Sequence, residues 1–311
     1  MKKVNIFILS FLLFSVSLSA QSALQKQVDS LFVIASSGEL KYRDLVDPAI
    51  EKIAELGTPA VPLLVNKLDT KSARERLTII NILKKIGSDA VPYLITSLQN
   101  PNGLIVQRVC WALGDIKDSS AVQPLIAIIN HPRWHVRDQA IGALGDIGDK
   151  IADDAVISGF ADDIGQVRKA AAVSAGKLKI LESLSLLIHQ LGDDFYGARM
   201  SAFESILKFD TSFVIEKLTD SITSDNRFVS ALSCELLGRF ATDRAIDLLY
   251  DHIDSPNLYL REKASLALTA ADPKDLCGFR NVILQNVTDR LSLLKIESLI
   301  NSYDDQEKPD R

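Results

Sequence analysis

The sequence predicts an all-α fold, a right-handed superhelical α-solenoid of about eight two-helix repeats with a period of 31 residues. Three observations predict it. The string "ALGDI" stands at residues 112–116 and returns at 143–147, 31 positions later. The position of Ile147 runs through Leu56, Ile86, Ile116, Ile147, Leu178, Phe209, Phe240 and Ala271, in steps of 30, 30 and then 31 throughout. The position of Val136 runs through Ile105, Val136, Val167, Ala198, Val229 and Leu260, each step 31, and Ala140 leads to Ala171, Ala202, Ser233 and Ala264 in the same way. Register kept for this long marks a repeat array. Length alone, at 311 residues, would suggest about two domains; the repeat argues instead for one array.

The elements are taken in chain order. Residues 1–20, "MKKVNIFILSFLLFSVSLSA", carry two lysines, an apolar run from Val4 to Leu18 and a small residue at Ala20. That is the layout of a secretory signal peptide, and about fifteen apolar residues are few for a membrane span of roughly twenty. Cleavage after Ala20 is expected, with export to the periplasm of a double-membraned bacterium or beyond it, and no stable membrane insertion afterwards. Residues 21–40 hold "SALQKQVDSLFVIA", an amphipathic N-terminal capping helix. The repeat array occupies 41–289. A C-terminal capping helix comes next at 290–302, around "RLSLLKIESLI", and 303–311 read as a disordered tail. Stacked helix pairs need such polar end caps because no pair buries its apolar face alone.

Within one repeat, Val136, Ala140, Ala143, Leu144 and Ile147 form a single helical stripe, the first helix. Glycines near its end, Gly145 and Gly148, are expected to stop it, since glycine enters left-handed conformations cheaply. A second amphipathic segment comes next, as in "AVPLLVNKL" (60–68), "AVPYLITSL" (90–98) and "AVQPLIAII" (121–129). Pro62, Pro92 and Pro124 sit near its start, where a missing N–H costs little. The turns "NPN" (100–102), "NHP" (130–132), "ADD" (161–163) and "DSPN" (254–257) lead to the next repeat.

The pattern resembles the HEAT-repeat family, in particular the short HEAT-like repeats of phycobilisome lyases. The likeness rests on "VR" at 136–137 and 167–168, on the "ALG" segments at 112–118 and 143–149, and on "AV" opening the second helices. It covers roughly residues 41–289. The resemblance implies the solenoid fold and is nearly silent on function, because such repeats serve as scaffolds in unrelated proteins.

Removing Lys2 and Lys3 leaves 33 basic residues against 40 acidic ones, a net charge of −7. So acidic a chain is a poor general nucleic-acid binder, and no nucleic-acid partner is expected. The three cysteines, Cys110, Cys234 and Cys277, read as small buried apolar side chains. Cys110 and Cys234 stand 124 residues apart at one phase, four layers and about 40 Å, out of disulfide reach.

The glycines at 142, 145 and 148 invite comparison with a phosphate loop, but no Lys-Ser/Thr pair comes after them and they end a helix. Asp146, Asp149, Asp153 and Asp154 lack the spacing of a calcium loop and read as caps and solvated turns. His131 and His135 stand four apart with Pro132 between them, and no carboxylate or cysteine stands beyond them at ligand spacing, so no metal is expected. HEAT-like deoxyhypusine hydroxylases hold iron on His-Glu pairs; none exists here, and that activity is not carried over. No catalytic motif and no cofactor site emerge.

Arginine recurs at one phase as Arg137, Arg168, Arg199 and Arg261, with Ser230 breaking the series. Each is expected to clamp the preceding turn through its carbonyls and a nearby acid, Asp162 for Arg168 and Asp193 for Arg199; a row of guanidinium groups facing an acidic partner is the alternative. A second phase changes sign from Asp115 and Asp146 to Lys177, Lys208 and Arg239, and reads as a solvated edge.

Trp134, Tyr196, Phe228 and Tyr259 all precede the Val136 phase by one or two residues, at the starts of first helices. They read either as hydrophobic staples or as an aromatic ridge, with "HPRWH" (131–135) its most unusual member. Arg133, Trp134, His135, Tyr196, Phe228 and Tyr259 are therefore the candidate binding residues, tryptophan and arginine being frequent anchors. The expected function is an exported, non-catalytic HEAT-repeat scaffold for a protein or peptide partner. The alternative is a tetrapyrrole or bilin lyase-like activity, or another accessory enzyme.

Overall fold

The computed structural model describes residues 21–271. The expected signal peptide, the last part of the array with Cys277, the C-terminal cap and the tail lie outside the described residues. Every regular element among the described residues is helical. The chain divides into two compact units, one ending at Ala155 and the other beginning at Val156. α9 (Asp153–Ser158) spans the division.

The first unit opens with α1 (21–35), whose Val28, Phe32 and Ala35 are buried at the spacing of one helical face. The helix ends at 35, the last residue of the "SALQKQVDSLFVIA" stretch, and Leu40–Leu45 form a 3₁₀ turn before the first repeat. α1 is tied to the first repeats by Lys67 on Asp29 at 2.6 Å and by the Arg74 guanidinium donating to the Ser37 carbonyl at 3.0 Å. The first helices are α2 (Val46–Glu55), α4 (Ala73–Ile86), α6 (Gly103–Ile116) and α8 (Trp134–Ile147). The second helices are α3 (Val61–Lys67), α5 (Val91–Ser97) and α7 (Val122–Ile126). First helices pack on first helices, α3 packs on α5, and each second helix packs on the next first helix along the chain.

The second unit repeats the plan. Its first helices are α10 (Gly165–Leu178), α12 (Tyr196–Ile206), α14 (Arg227–Phe240) and α16 (Leu258–Ala271). Its second helices are α11 (Leu184–Gln190), α13 (Thr211–Ser221) and α15 (Asp243–Tyr250). One continuous apolar core runs through this unit, with Phe203, Leu218 and Leu237 completely enclosed. Burial of side chains of this size stabilises by about 1.5–3 kcal/mol each.

Short polar side chains start α4, α6 and α14. The Ser72 hydroxyl accepts the Glu75 N–H, and the Asn102 and Asn226 amide oxygens accept the Leu104 and Phe228 N–H groups. The second helices α3, α7 and α11 are shorter than the sequence pattern and are each prefaced by one 3₁₀ turn, at Thr58–Ala60, Ser119–Ala121 and Leu181–Ser183. Asp118 and Asp149 cap two of these turns through the Ser120 and Ile151 N–H groups, the role expected of Asp149.

Two glycine phases do different work. The residue after the Ile147 phase is left-handed at Lys117, Gly148, Lys179 and Ala241, so these first helices end there whichever side chain is present, while Gly57 and Gly87 take positive φ with ψ of −147° and −144°, a conformation for glycine alone. Gly145 does not terminate its helix as expected: it is buried inside α8, in the phase of Gly114, Gly176 and Gly238. A methyl group added at those three would meet Ala143 Cα at 3.0 Å, Ser205 Oγ at 2.5 Å and the Ala267 carbonyl oxygen at 2.6 Å. These glycines let consecutive first helices touch backbone to backbone, and the pairs α6–α8, α10–α12 and α14–α16 are the most intimate in their units.

One repeat breaks both phases. Leu207 stands where the packing glycine would be, and Asp210 where the left-handed residue would be. Asp210 has φ −61° and caps α13 by accepting from the Ser212 N–H at 3.0 Å. In consequence α12 ends early, at Ile206, α13 extends to 11 residues, and α12 and α14 make few close backbone approaches.

Candidate functional site

The arginine phase builds the framework of the site. The Arg137 Nη1 donates to the His131 carbonyl at 3.0 Å and the Arg168 Nη1 to the Asp162 and Asp163 carbonyls at 2.8 and 3.2 Å. Arg199 repeats the grip on the Asp193 and Asp194 carbonyls at 2.5 and 3.3 Å. The clamp reading is the one observed at these three; Arg261, the fourth of the series, leaves its Nε without a hydrogen-bond partner among the described residues. The acid expected for Arg168 differs, however. Its Nε and Nη2 meet the two carboxylate oxygens of Asp193 at 2.6 and 2.8 Å, one repeat ahead, and not the Asp162 carboxylate. Arg168 thus ties the turn before its own helix to the turn before the next.

Asp193 has only 7% of its side chain exposed, and Arg168 has 20%. Burial opposes ionisation of Asp193, but the Arg168 guanidinium and the Phe195 N–H hold its carboxyl below the ordinary value. Asp193 in turn raises the pKa of Arg168, against its desolvation.

On this framework stands a rim of alternating aromatic rings and arginines. The Arg199 guanidinium lies over the Phe228 ring at 4.3 Å and near the Tyr196 ring at 5.6 Å. The Arg227 guanidinium lies 5.1 Å from the same Phe228 ring. Burial raises the Tyr259 hydroxyl above its ordinary pKa while the charge of Arg227 lowers it, and Lys263 lies 5.3 Å from the Tyr259 ring. Contacts of this kind contribute roughly 0.5–1 kcal/mol each at exposed sites. Of the candidate binding residues, Tyr196, Phe228 and Tyr259 are gathered here, each at the start of its helix. Tyr196 is 66% exposed and Phe228 38%, so they do not act as the buried staples expected as one reading. Phe195 takes the packing role, its ring against Gly165.

Arg133, Trp134 and His135 belong to the first unit. The Arg133 side chain lies along Gly103, and its N–H donates to His131 Nδ1 at 3.1 Å. The Trp134 and His135 rings stack with centroids 3.5 Å apart. The first of the three is thus occupied with packing one helix start on another.

Beside the rim, in the second unit, a groove of about 850 Å³ runs across α11 and α13. The turns at 160–162, 192–194 and 224–226 complete it. His189, Gln190, Asp194, Lys217 and Asp220 supply its polar lining, and Leu186, Ile188 and Val229 its apolar part. The lengthening of α13 adds its N-terminal turn, residues 211–214, while Lys217 and Asp220 fall in the part that matches α11 one repeat earlier. Sequence reasoning missed Gln190, Lys217 and Asp220, which carry no distinctive spacing within the repeat.

Cys110 and Cys234 are free and buried, and burial pushes both thiols up to about 12. Among the described residues no three histidine, cysteine or acidic side chains converge as a metal site. No helix among them is long and apolar enough to cross a membrane.

Residues 91–177 match the family model described as HEAT repeats, and the resemblance drawn from "ALGDI" holds over that segment. Among solved structures, the Escherichia coli protein YibA shares 19% identity at a TM-score of 0.51, over 85% of this chain and 98% of that one. The Kap95:Nup1 complex gives 14% identity and a TM-score of 0.53, over 88% of this chain and 46% of that one. These likenesses establish the helical-repeat fold. Nothing among curated proteins matches the chain.

The comparisons also correct the expectation of a chain without enzymatic activity. Human deoxyhypusine hydroxylase, at 16% identity and a TM-score of 0.36, covers 83% of this chain with 99% of its own. The CpcE–CpcF complex of phycocyanin lyase from Nostoc sp. PCC7120, at 16% and 0.40, covers 78% with 94%. Enzymes therefore stand among the similar folds, and helical repeats give no ground for a non-enzyme assignment.

Proposed function

We propose that this protein is an exported helical-repeat adaptor that binds a protein or peptide partner through the arginine–aromatic rim of its second unit. One observation carries the reading: Tyr196, two-thirds exposed, stands beside a guanidinium that is itself fixed by two backbone carbonyls and a second ring. Rigid, exposed aromatic rings flanked by arginine are the side chains that dominate binding energy at protein interfaces. They lose little conformational entropy on association. Export to the periplasm is supported by the residue pattern of 1–20. The Kap95 structure that shares the fold is itself a complex with Nup1.

The test compares the native chain with a Tyr196→Ala, Phe228→Ala double variant as bait for proteins of its own cell envelope. A partner retained by the native chain and lost by the variant, at unchanged melting temperature, is expected. Equal retention by both would overturn the assignment of the rim.

A further inference from the structure

We infer that Arg199 is a carboxylate receptor: its open Nε–Nη2 edge takes an aspartate or glutamate side chain of a partner segment, where the preceding repeat supplies a carboxylate of its own. This rests on the reading of the rim as a protein or peptide interface and adds the chemistry of what docks there.

Consecutive repeats build the same grip with one difference. Arg168 spends Nη1 on the carbonyls before its own helix and spends Nε and Nη2 on Asp193, 25 positions on. Arg199 spends Nη1 on the Asp193 and Asp194 carbonyls in the same way, but 25 positions on from it stands Ser224. Ser224 keeps half of the role. Its hydroxyl accepts the Asn226 N–H at 3.2 Å, as the Asp193 carboxylate accepts that of Phe195 at 2.7 Å. It brings no carboxylate to the guanidinium. The Arg199 Nε and Nη2 therefore donate to no group among the described residues, and neither is enclosed, as the Nε of Arg261 is.

The unused edge matches one ligand chemistry. Two parallel N–H groups in the guanidinium plane fit the two oxygens of a carboxylate, the bond that Arg168 and Asp193 already show. A guanidinium stacked on an aromatic ring keeps its edge available, and Arg199 lies over the Phe228 ring at 4.3 Å. Held there and by two carbonyls, it has little freedom left to lose when a ligand arrives. Ser224 lines the groove beside the rim, so the place of the missing carboxylate is open. Arg227, exposed and near the same ring, adds a second positive charge. The exposed Asp194 and Asp225, on the turns to either side, repel a run of acids. The segment thus carries one aspartate or glutamate among uncharged residues, with apolar neighbours for the Tyr196 and Phe228 rings.

The experiment follows the arginine Nε–H signals of the full-length, nitrogen-15-labelled chain by nuclear magnetic resonance, with the Arg199 signal assigned by its loss in Arg199→Lys. Two pentapeptides are added, capped at both ends and reading glycine–leucine–X–leucine–glycine, with X glutamate or glutamine. The glutamate peptide shifts the Arg199 signal to saturation, the glutamine peptide does not, and the Arg168 signal stays in place under both. Ser224→Asp restores the internal carboxylate: the Arg199 signal starts near its saturated position, and affinity for the glutamate peptide falls roughly tenfold or more. An Arg199 signal unmoved by the glutamate peptide, equal shifts with both peptides, or affinity unchanged in Ser224→Asp would overturn the inference. Should Ser224→Asp fail to fold, the two peptides on the native chain decide. An envelope partner lost on Tyr196→Ala, Phe228→Ala while the glutamate peptide moves nothing would sink this inference and leave the rim assignment standing.

Discussion

Arg168 grips both carboxylate oxygens of Asp193, 25 positions further on, while its third nitrogen holds the two carbonyls just before its own helix. A single side chain thus joins two consecutive turns. The planar fork of guanidinium makes this possible, and lysine could not reproduce it.

Replacing Arg168 by alanine leaves Asp193 charged and enclosed, with the Phe195 N–H still donating to it but its ion-pair partner gone. The expected loss is about 2–4 kcal/mol in urea unfolding, and Arg168→Lys recovers less than half of it. Unchanged unfolding together with weakened partner binding would reverse the assignment of Arg168 as a clamp.

The same pair sets an acid dependence. Asp193 has a folded-state pKa below its unfolded value of about 3.9, so the unfolded chain binds its proton more readily. Its contribution is complete above that unfolded value and is lost as the pH falls through the folded one. Stability measured by urea titration from pH 6 downward should therefore decline below about pH 4. Asp193→Asn should be less stable at pH 6 and flatter across that window; a parallel decline in both chains would argue against the pair as the source.

Left-handed backbone at non-glycine residues predicts a stabilising change. Lys117, Lys179 and Ala241 occupy φ values of 63°, 54° and 49°. Glycine at Lys179 relieves roughly 1–2 kcal/mol of strain and gives back part of it in unfolded-state entropy, leaving a net gain of about 0.5–1 kcal/mol. Thermal unfolding of Lys179→Gly measures it, and a lower melting temperature would contradict the strain.

The packing glycines predict the opposite sign at neighbouring positions of similar sequence. Gly238→Ala drives a methyl group to 2.6 Å from the Ala267 carbonyl oxygen and should destabilise by about 1–3 kcal/mol. Gly142→Ala meets nothing within 4 Å in the middle of α8 and should stabilise by about 0.5–1 kcal/mol. Comparing the two melting temperatures checks both; equal shifts would refute the close-approach account.

Much of the fold was legible because the repeat makes each residue a vote on the same geometry. The stripe of Val136, Ala140, Leu144 and Ile147, read in register with its copies, places the first helices within a residue or two of their observed limits. Gly145 and Gly148 were less legible, since one residue type served close packing and helix termination at positions three apart. The site was harder still. Phase predicted that Arg168 would clamp, yet its carboxylate partner came from the next turn, which only three-dimensional stacking brings near. Tyr196 and Phe228 were picked out by their common phase, but the arginine between them was read as a clamp or as one of a guanidinium row, and not as a partner of the rings. Gln190 gave no periodic signal, because what sets it apart is an unmet hydrogen bond and not its spacing.

The early end of α12 has a bearing on how such a chain can change over generations. Arrays of this type grow and shrink by duplicating or dropping whole modules, and most modules are interchangeable because each offers its neighbours the same faces. The module from Tyr196 to Ser221 is not: its helices meet at Asp210 instead of a left-handed residue, and its longer second helix bears Lys217 and Asp220. Copying or deleting a module elsewhere alters length; copying or deleting this one, or the α11 module before it, remakes the groove that α11 and α13 line.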